Sequence, residues 1–144
     1  MRITTRGRYA LRATLALAKL GKDGSPVSIN TLSETEAISS VFLEQIFFRL
    51  RKAGIVSSVR GPGGGFSFAR PLNELSVKAI LDAAGEDLGI TFCDRHAETC
   101  GQIDSCISHK IWGDLTEIVN TYFSGLTLAS IIEKNDPAEE NEAS

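Results

Sequence analysis

The sequence is poor in several residue types and in long apolar runs. The lack of long apolar runs and the odd number of cysteines limit the class of protein. Its 144 residues contain three cysteines, two histidines and one tryptophan, and no apolar run is long enough to cross a bilayer. The early arginines resemble a signal peptide, but Arg8 and Arg12 interrupt the apolar stretch and no cleavage site of small residues follows. We therefore predict a cytoplasmic protein with no membrane association. In a reducing compartment, an odd number of clustered cysteines favours metal or redox chemistry over disulfide bonds.

The charge is distributed unevenly along the chain, although the net charge is only −3. Residues 1–75 carry 11 lysines and arginines against 5 acidic residues, whereas residues 76–144 carry 4 against 13. A basic half of this kind is typical of a polyanion-binding surface, and chance clustering on a solvated surface is the alternative. We predict a DNA-binding domain over residues 1–75, a second unit over residues 76–134 and a disordered acidic tail over residues 135–144.

The hydrophobic pattern predicts a mainly α-helical chain with one small β-hairpin. Helices are expected over residues 6–20, over a short segment capped by Ser28, and over residues 40–53, where apolar side chains recur at helical spacing and Gly54 ends the helix. Two short strands between residues 55 and 70 are joined by a glycine-rich turn. Three helices followed by a hairpin wing is the order of a winged helix-turn-helix domain, a fold that binds DNA.

A second set of helices is predicted after the hairpin. Ser76 and Thr127 are each placed to cap a short helix, and residues 108–124 form a long amphipathic one. Its apolar face, with Trp112 and Tyr122, is large for a chain of this length to bury within one subunit. We predict a dimerisation helix, and packing on the subunit's own core is the alternative. A twofold homodimer suits pseudo-palindromic sites in double-stranded promoter DNA.

The third helix is expected to enter the major groove of DNA with its N-terminal residues first. Serine can contact bases or phosphates, glutamine can pair with adenine, and glutamate can accept from the cytosine amino group. Because a carboxylate near phosphates costs Coulomb energy, Glu44 is better suited to discriminate between sequences than to add affinity. The alternative is a solvated carboxylate balanced by Arg49 or Arg51. The predicted contacts from this helix are Ser39, Ser40, Phe42, Glu44 and Gln45.

The hairpin turn, RGPGGG over residues 60–65, has a basic and flexible composition. Glycines allow a backbone to approach a phosphate or to enter a narrow groove, and an arginine suits the negative potential of the minor groove. An ordinary hairpin turn would use the same glycines. The position after the helix-turn-helix favours a DNA-contacting wing. Its predicted contacts are Arg60, Gly61, Gly63 and Gly64.

All three cysteines and both histidines lie within residues 93–109. Six residues separate Cys93 from Cys100, five separate Cys100 from Cys106, and two separate Cys106 from His109. Three thiolates and one imidazole suit tetrahedral Zn²⁺ or an iron–sulfur cluster, although zinc sites usually use closer pairs of ligands. Ligand counting alone leaves both open.

The fourth ligand is predicted from helix geometry. Cys106 and His109 are expected in the first turn of the long helix, where residues i and i+3 share a face and the helix dipole favours thiolate and neutral imidazole. This placement favours His109, with His96 and Glu98 as rivals. The alternative is three unmodified thiols, but cysteines so clustered in a polar segment are not packing residues.

Three stretches of the sequence resemble the IscR-type family of bacterial winged-helix regulators. They are MRITTRGRYALRA at the start, FLEQIFFRLRKAGIVSSVRGPGGGF in the middle, and the spacing CX6CX5CX2H with the IW-DL residues that follow. The resemblance covers residues 1–132, and its middle block is highly specific. It also places Thr5 and Arg6 among the predicted DNA contacts.

The resemblance implies a homodimeric transcription regulator that binds a 2Fe–2S cluster through Cys93, Cys100, Cys106 and His109. In this family, cluster occupancy reports the supply from the iron–sulfur assembly machinery and changes which promoters are bound. The holo form represses cluster-assembly genes, whereas the apo form still regulates other promoters, as activator or repressor. The glutamate of the recognition helix, here Glu44, disfavours one class of sequence until the cluster forms.

Two features depart from the family pattern: the first cysteine gap is one residue longer than in the usual IscR pattern, and the acidic tail is idiosyncratic. Branches that sense nitric oxide or redox state draw an acidic ligand from near residue 8 of the partner subunit. Here that residue is Arg8, which argues against those branches.

Other function classes are weighed against cluster sensing. One is a regulator of the same fold that responds to redox state or nitric oxide through zinc or thiols. Another is an iron–sulfur carrier, which needs neither a basic N-terminal half nor a wing. An enzyme is not predicted, because no oxyanion feature or pocket is apparent in the sequence.

Overall fold

The computed structural model describes residues 2–91, 93 and 101–135. Over these residues the chain forms six α-helices and one antiparallel hairpin, which confirms the predicted fold class. The elements are α1 (Thr5–Leu20), α2 (Ile29–Glu36), α3 (Ser40–Lys52), β1 (Val56–Val59), β2 (Gly65–Phe68), α4 (Val77–Ala83), α5 (Ile107–Gly125) and α6 (Leu128–Lys134). None of these helices is long and apolar enough to cross a membrane. The predicted acidic tail, apart from Asn135, lies outside the described residues, as do His96, Glu98 and Cys100.

Side-chain caps begin most of the helices where the sequence predicts them. The backbone N–H of Thr31 donates to the Ser28 hydroxyl at the start of α2 (3.1 Å), and Ala79 donates in the same way to Ser76 at the start of α4 (3.0 Å). Thr127 and Ser130 form a reciprocal capping box at the start of α6. Each cap satisfies an N–H that has no partner within its own helix, which explains why these elements begin there.

The turn between α2 and α3 is built around a residue in an unfavourable conformation. Ala37 has φ +53°, a left-handed conformation that costs a side chain of this type energy. Contacts on both sides hold it: the Ser33 hydroxyl donates to the Ile38 carbonyl (2.5 Å), and the Arg12 guanidinium binds the Glu36 carbonyl (2.6 Å). This turn sets the direction in which α3 leaves α2.

The main core forms around α3. Leu43, Ile46, Phe47 and Leu50 are completely buried, as the helical spacing predicted, and Gly54 follows the helix with φ +76°. Leu128 of α6 is also completely buried in this cluster, so the C-terminal end of the described chain packs on the same core as the first three helices.

An additional β-bridge anchors the hairpin to the segment that precedes α2. In the hairpin, Val56 pairs with Phe68 and Val59 pairs with Gly65. Val27, which precedes α2, exchanges two backbone hydrogen bonds with Phe66 (2.8 and 2.9 Å). The wing is therefore held to the segment before α2 at Phe66, close to its turn, whereas residues 60–63 of the turn are exposed.

The long helix α5 extends from the rest of the molecule. It packs against α4, and a second small cluster of Val77, Leu81 and Leu88 contacts its C-terminal half at Phe123. No residue of α5 is fully buried. A stripe of large apolar side chains on this helix is exposed in the single chain: Ile107, Ile111, Trp112, Leu115, Ile118 and Tyr122. Packing on the subunit's own core, the alternative to dimerisation, does not cover this stripe.

Candidate nucleic-acid interface and metal centre

The outward face of α3 carries most of the side chains predicted to contact DNA. Ser39, Glu44 and Gln45 are exposed, and Ser40 is partly exposed, because the residues between them hold the opposite face of the helix in the core. These positions place hydrogen-bonding groups in solvent on one face of α3. Groups of this kind can contact base edges and phosphates.

Glu44 makes no ion pair within 4 Å among the described residues. Arg51, one of its two suggested partners, instead lies over the Phe48 ring (5.7 Å to the centroid) and donates to the Ser58 hydroxyl (3.5 Å). The Glu44 carboxylate is therefore an exposed acceptor on the face that the sequence assigns to base recognition.

Two neighbouring side chains at the start of α3 differ in their exposure to solvent. Phe42 packs edge to face against Tyr9 (5.6 Å between centroids) and against the core, so that it is only partly exposed. Val41 is 64% exposed and was not among the sequence-based candidates. The sequence did indicate that Val41 is exposed, because it lies four residues before Gln45 and therefore on the same outward face of the helix.

Two shallow grooves bring the start of α1 against α3. Thr5 borders a groove of about 410 Å³ together with Ser39 and Gln45. Arg6 borders a second groove, of about 690 Å³, whose far wall includes Glu44 and Gln45. Residues predicted from two separate stretches of sequence thus share one surface. The second groove is also lined by the basic residues Arg49 and Lys52.

The wing tip is exposed and lies in neither groove. Gly61 and Gly63 have φ +93° and +74°, a conformation that side chains rarely adopt, and the Gly64 N–H donates to the Gly61 carbonyl (2.9 Å). The turn geometry by itself therefore requires glycines at these positions. Arg60, which is exposed at the base of the turn, is the wing residue that such a turn does not require.

The candidate metal ligands are only partly described. Cys106 is the N-cap residue of α5 and not, as predicted, within its first turn, because its backbone is extended (φ −87°, ψ 110°). His109 lies in the first turn. Cys93 and Cys106 are free, partly exposed thiols. Within the described ranges, no group of three or more potential ligands is brought together, and Cys100 falls outside these ranges.

The environment of Cys106 favours its ionised form. Hydrogen bonds from the Ser108 hydroxyl and from the backbone N–H of His109 hold the pKa of the Cys106 thiol below its usual range. These donors lie at the N-terminus of α5, where unpaired N–H groups stabilise negative charge. The thiolate is the form of cysteine that binds metal ions.

His109 has an imidazole nitrogen without a hydrogen-bonding partner. Its Nδ1 atom is buried, and none of the described residues donates to it or accepts from it. A buried, unpartnered ring nitrogen one turn from a thiolate fits a metal ligand, because coordination would satisfy it. The described donors thus fit a centre that binds thiolate and imidazole, and they suit zinc and an iron–sulfur cluster equally.

Comparison with known sequences places the chain among transcriptional regulators. A model of the Rrf2 family, described as iron-dependent transcriptional regulators, matches residues 3–134. The transcriptional regulator IscR of Yersinia enterocolitica is 40% identical over 139 residues, which is 96% of this chain and 84% of that protein. IscR of Serratia proteamaculans is 40% identical over 136 residues, covering 94% of this chain and 82% of that protein.

Solved structures agree with the sequence relationships. The structure of IscR from T. potens superposes with a TM-score of 0.77 at 28% identity, covering 96% of this chain and 90% of that one. CymR, the global cysteine regulator of B. subtilis, superposes with a TM-score of 0.72 at 25% identity, covering 94% of this chain and 99% of that one.

Proposed function

Because the chain belongs to the Rrf2 family and is a DNA-binding transcription regulator of the IscR type, we propose that a 2Fe–2S cluster controls its binding to promoter DNA. The proposed ligands are Cys93, Cys100, Cys106 and His109. Its relatives are transcriptional regulators and not enzymes, in agreement with the sequence-based prediction. The observation that carries the proposal is the start of α5, where a thiol favoured as thiolate is followed by a histidine with a buried, unpartnered nitrogen.

The proposed ligand set suits a group that is gained and lost. When bound, a 2Fe–2S cluster supplies a redox-active centre that depends on thiolate ligation. Three of the ligands are thiols of one polar segment, and His109 supplies a single imidazole from the rigid end of a helix. We propose that the assembly machinery of the cytoplasm is the cluster donor. In this proposal the assembly machinery supplies the cluster, the four ligands bind it, and the protein then binds a different set of promoter sites.

DNA recognition is assigned to three elements of the basic half: α3, the start of α1 and the wing. Ser39, Ser40, Glu44 and Gln45 would read base edges in the major groove, with Glu44 excluding one class of sequence. Thr5 and Arg6 border the same surface and suit phosphate contacts, which contribute affinity without sequence preference. Arg60 is placed on an exposed wing, where it suits the minor groove.

The proposed homodimer forms through α5. Its exposed stripe includes Ile111, Leu115, Ile118 and Tyr122, which recur at helical spacing on one side of the helix. An exposed apolar stripe of this length is typical of a protein–protein interface. A twofold dimer presents two copies of α3 and therefore suits a DNA site with two related halves.

The decisive experiment is anaerobic purification followed by absorbance spectroscopy and by iron, sulfide and zinc analysis. We expect about two irons and two sulfides per subunit, as a 2Fe–2S cluster requires. Stoichiometric zinc without sulfide would exclude the cluster and favour a zinc-containing regulator of the same fold. DNA affinity is then measured for the holo and apo forms, and equal affinities at every promoter site would exclude control by the cluster.

The fourth ligand is tested with two matched histidine variants. His109→Ala is expected to shift the cluster absorbance spectrum or to abolish cluster binding, whereas His96→Ala is expected to leave both unchanged. The reverse pattern would assign the fourth position to His96. Cys93→Ala is expected to prevent assembly of the wild-type cluster, and a wild-type spectrum in this variant would remove Cys93 from the ligand set.

A further inference from the structure

Glu86 is the one charged side chain that is almost completely buried among the described residues, with 9% of its surface exposed. Its carboxylate accepts hydrogen bonds from the backbone N–H of Gly7 (3.1 Å) and of Thr4 (3.3 Å), and from the Thr4 hydroxyl. The Gly7 N–H belongs to the first turn of α1, where it has no backbone partner, and it also donates to the hydroxyl of the N-cap residue Thr4 (3.3 Å). A carboxylate from the segment after α4 therefore closes the N-terminus of α1, where negative charge is also favoured by the helix dipole.

The start of α1 is shaped around this carboxylate. A Cβ atom added to Gly7 would lie 2.5 Å from the Glu86 Oε1 atom and 2.6 Å from its Cγ atom, so no other residue fits without displacing Glu86. The adjacent residue makes a second link, because the Arg6 guanidinium donates to the Gly85 carbonyl (3.3 Å). Gly85 and Glu86 therefore accept hydrogen bonds from Arg6 and Gly7, two successive residues in the first turn of α1.

The same segment continues directly into the cysteine segment. Leu88 is buried in the second cluster, against which Ile3 also packs, and Cys93 follows five residues later. On the other side of this contact, Thr5 and Arg6 border the grooves they share with α3. The start of α1 therefore contacts the segment that leads to the first proposed ligand, through hydrogen bonds to Glu86, and it also borders the proposed DNA-binding surface.

We infer that Glu86 is a positioning residue that couples the cysteine segment to the DNA-contacting start of α1. The inference rests on the proposed function. A change in the path of residues 87–91 acts on the Glu86 carboxylate, which carries Thr4 and Gly7 with it and so moves Thr5 and Arg6 relative to α3. In this route, hydrogen bonds join Glu86 to Thr4 and Gly7, and the chain itself joins Glu86 to Cys93 and Thr4 to Thr5 and Arg6.

The test compares Glu86→Gln with the wild type and with Asp87→Asn. Glutamine keeps the size of the side chain but replaces one acceptor oxygen with a donor. Asp87 is exposed and accepts from the neighbouring Gly89 N–H (2.9 Å). The dissociation constant for promoter DNA is measured by fluorescence anisotropy for the holo and apo forms of each protein. We expect the ratio of the two constants to move towards one by at least about fivefold in Glu86→Gln, within the usual range of coupling between sites. Asp87→Asn should keep the wild-type ratio.

The ratio separates coupling from a purely structural role. A variant that only weakens the fold lowers both affinities together and leaves their ratio unchanged. In the apo protein, faster amide hydrogen exchange at Gly7 in Glu86→Gln is expected as an independent sign that the cap is lost. An unchanged ratio in Glu86→Gln, with an intact cluster spectrum and cluster-dependent DNA binding in the wild type, would overturn the inference alone. Equal holo and apo affinities in the wild type would overturn the proposed function and the inference with it.

A second pair of variants tests the contact itself. Gly7→Ala is expected to displace the carboxylate and to reduce the ratio as Glu86→Gln does. In a Glu86→Ala background, Gly7→Ala should cause no further reduction, because the atoms it would displace are absent. Additive losses in the double variant would show that Gly7 acts independently of Glu86 and would contradict the proposed link.

Discussion

Ile118→Ala is expected to weaken the dimer without unfolding the subunit. Ile118 lies on the exposed stripe of α5 with 64% of its surface accessible in the single chain, so little of its side chain contributes to the subunit's own core. Alanine keeps the helix, because it has the highest helix propensity. The substitution therefore acts on association and leaves folding largely unchanged.

The magnitude follows from the exposed fraction. Complete burial of an isoleucine contributes roughly 1.5–3 kcal/mol, so burial of the exposed part of Ile118 contributes about 1–2 kcal/mol per subunit. A twofold interface contains the residue twice, which gives roughly 2–4 kcal/mol per dimer. Since about 1.4 kcal/mol corresponds to a tenfold change, the dimer dissociation constant should rise roughly 30- to 700-fold.

Sedimentation equilibrium over a range of concentrations measures this constant directly. Val41→Ala is a matched control, because Val41 has the same exposed fraction but lies on α3, away from the stripe. We expect the control to associate like the wild type. An unchanged dissociation constant in Ile118→Ala, or an equal loss in Val41→Ala, would refute the assignment of the α5 stripe as the dimer interface.

Three further substitutions test recognition and folding. Glu44→Ala is expected to broaden the set of DNA sequences bound by the apo protein, because an exposed carboxylate no longer repels one class of base edge; unchanged selectivity in a sequence-selection assay would contradict this role. Ala37→Gly should raise the free energy of unfolding by about 0.5–1 kcal/mol, since glycine adopts φ +53° without strain, and a lower urea midpoint would show that the turn is not strained. Leu128→Ala should lower the free energy of unfolding by about 2–5 kcal/mol, because the side chain is completely buried in the main core; a loss below about 1 kcal/mol would mean that α6 packs only weakly.

Local features of the chain could be predicted from the sequence. The starts of α2, α4 and α6 follow from Ser28, Ser76 and Thr127, because a hydroxyl side chain caps N–H groups only two or three residues away. The buried face of α3 follows from a spacing within one helix, and the wing turn follows from its glycines. Each of these features depends on residues close together in the chain, and their order was sufficient to predict a winged helix-turn-helix.

The candidate sites also combine features that the local sequence predicts with features that depend on tertiary packing. The outward placement of Glu44 and Gln45 was predictable from the helical period, but the inward rotation of Phe42 towards Tyr9 was not. Both rings lie on helices that are distant in sequence, and only their packing decides which side chain at the start of α3 remains exposed. Val41, by contrast, lies four residues before Gln45, so the helical period alone could have identified it as exposed. Cys106 as N-cap was likewise decided by an extended backbone just before α5 and not by the spacing to His109.

What the sequence by itself determined is therefore the set of elements, their order and the chemistry of the side chains each one carries. What the tertiary structure decided is which of these side chains meet. The bond from the Gly7 N–H to the Glu86 carboxylate joins residues 79 positions apart, and the bridge between Val27 and Phe66 likewise joins separate segments. No local period encodes such contacts, because they form only when separately folded helices pack on a common core. Glu86 was an unremarked acidic residue in the sequence, and its burial against the start of α1 gives it a candidate role.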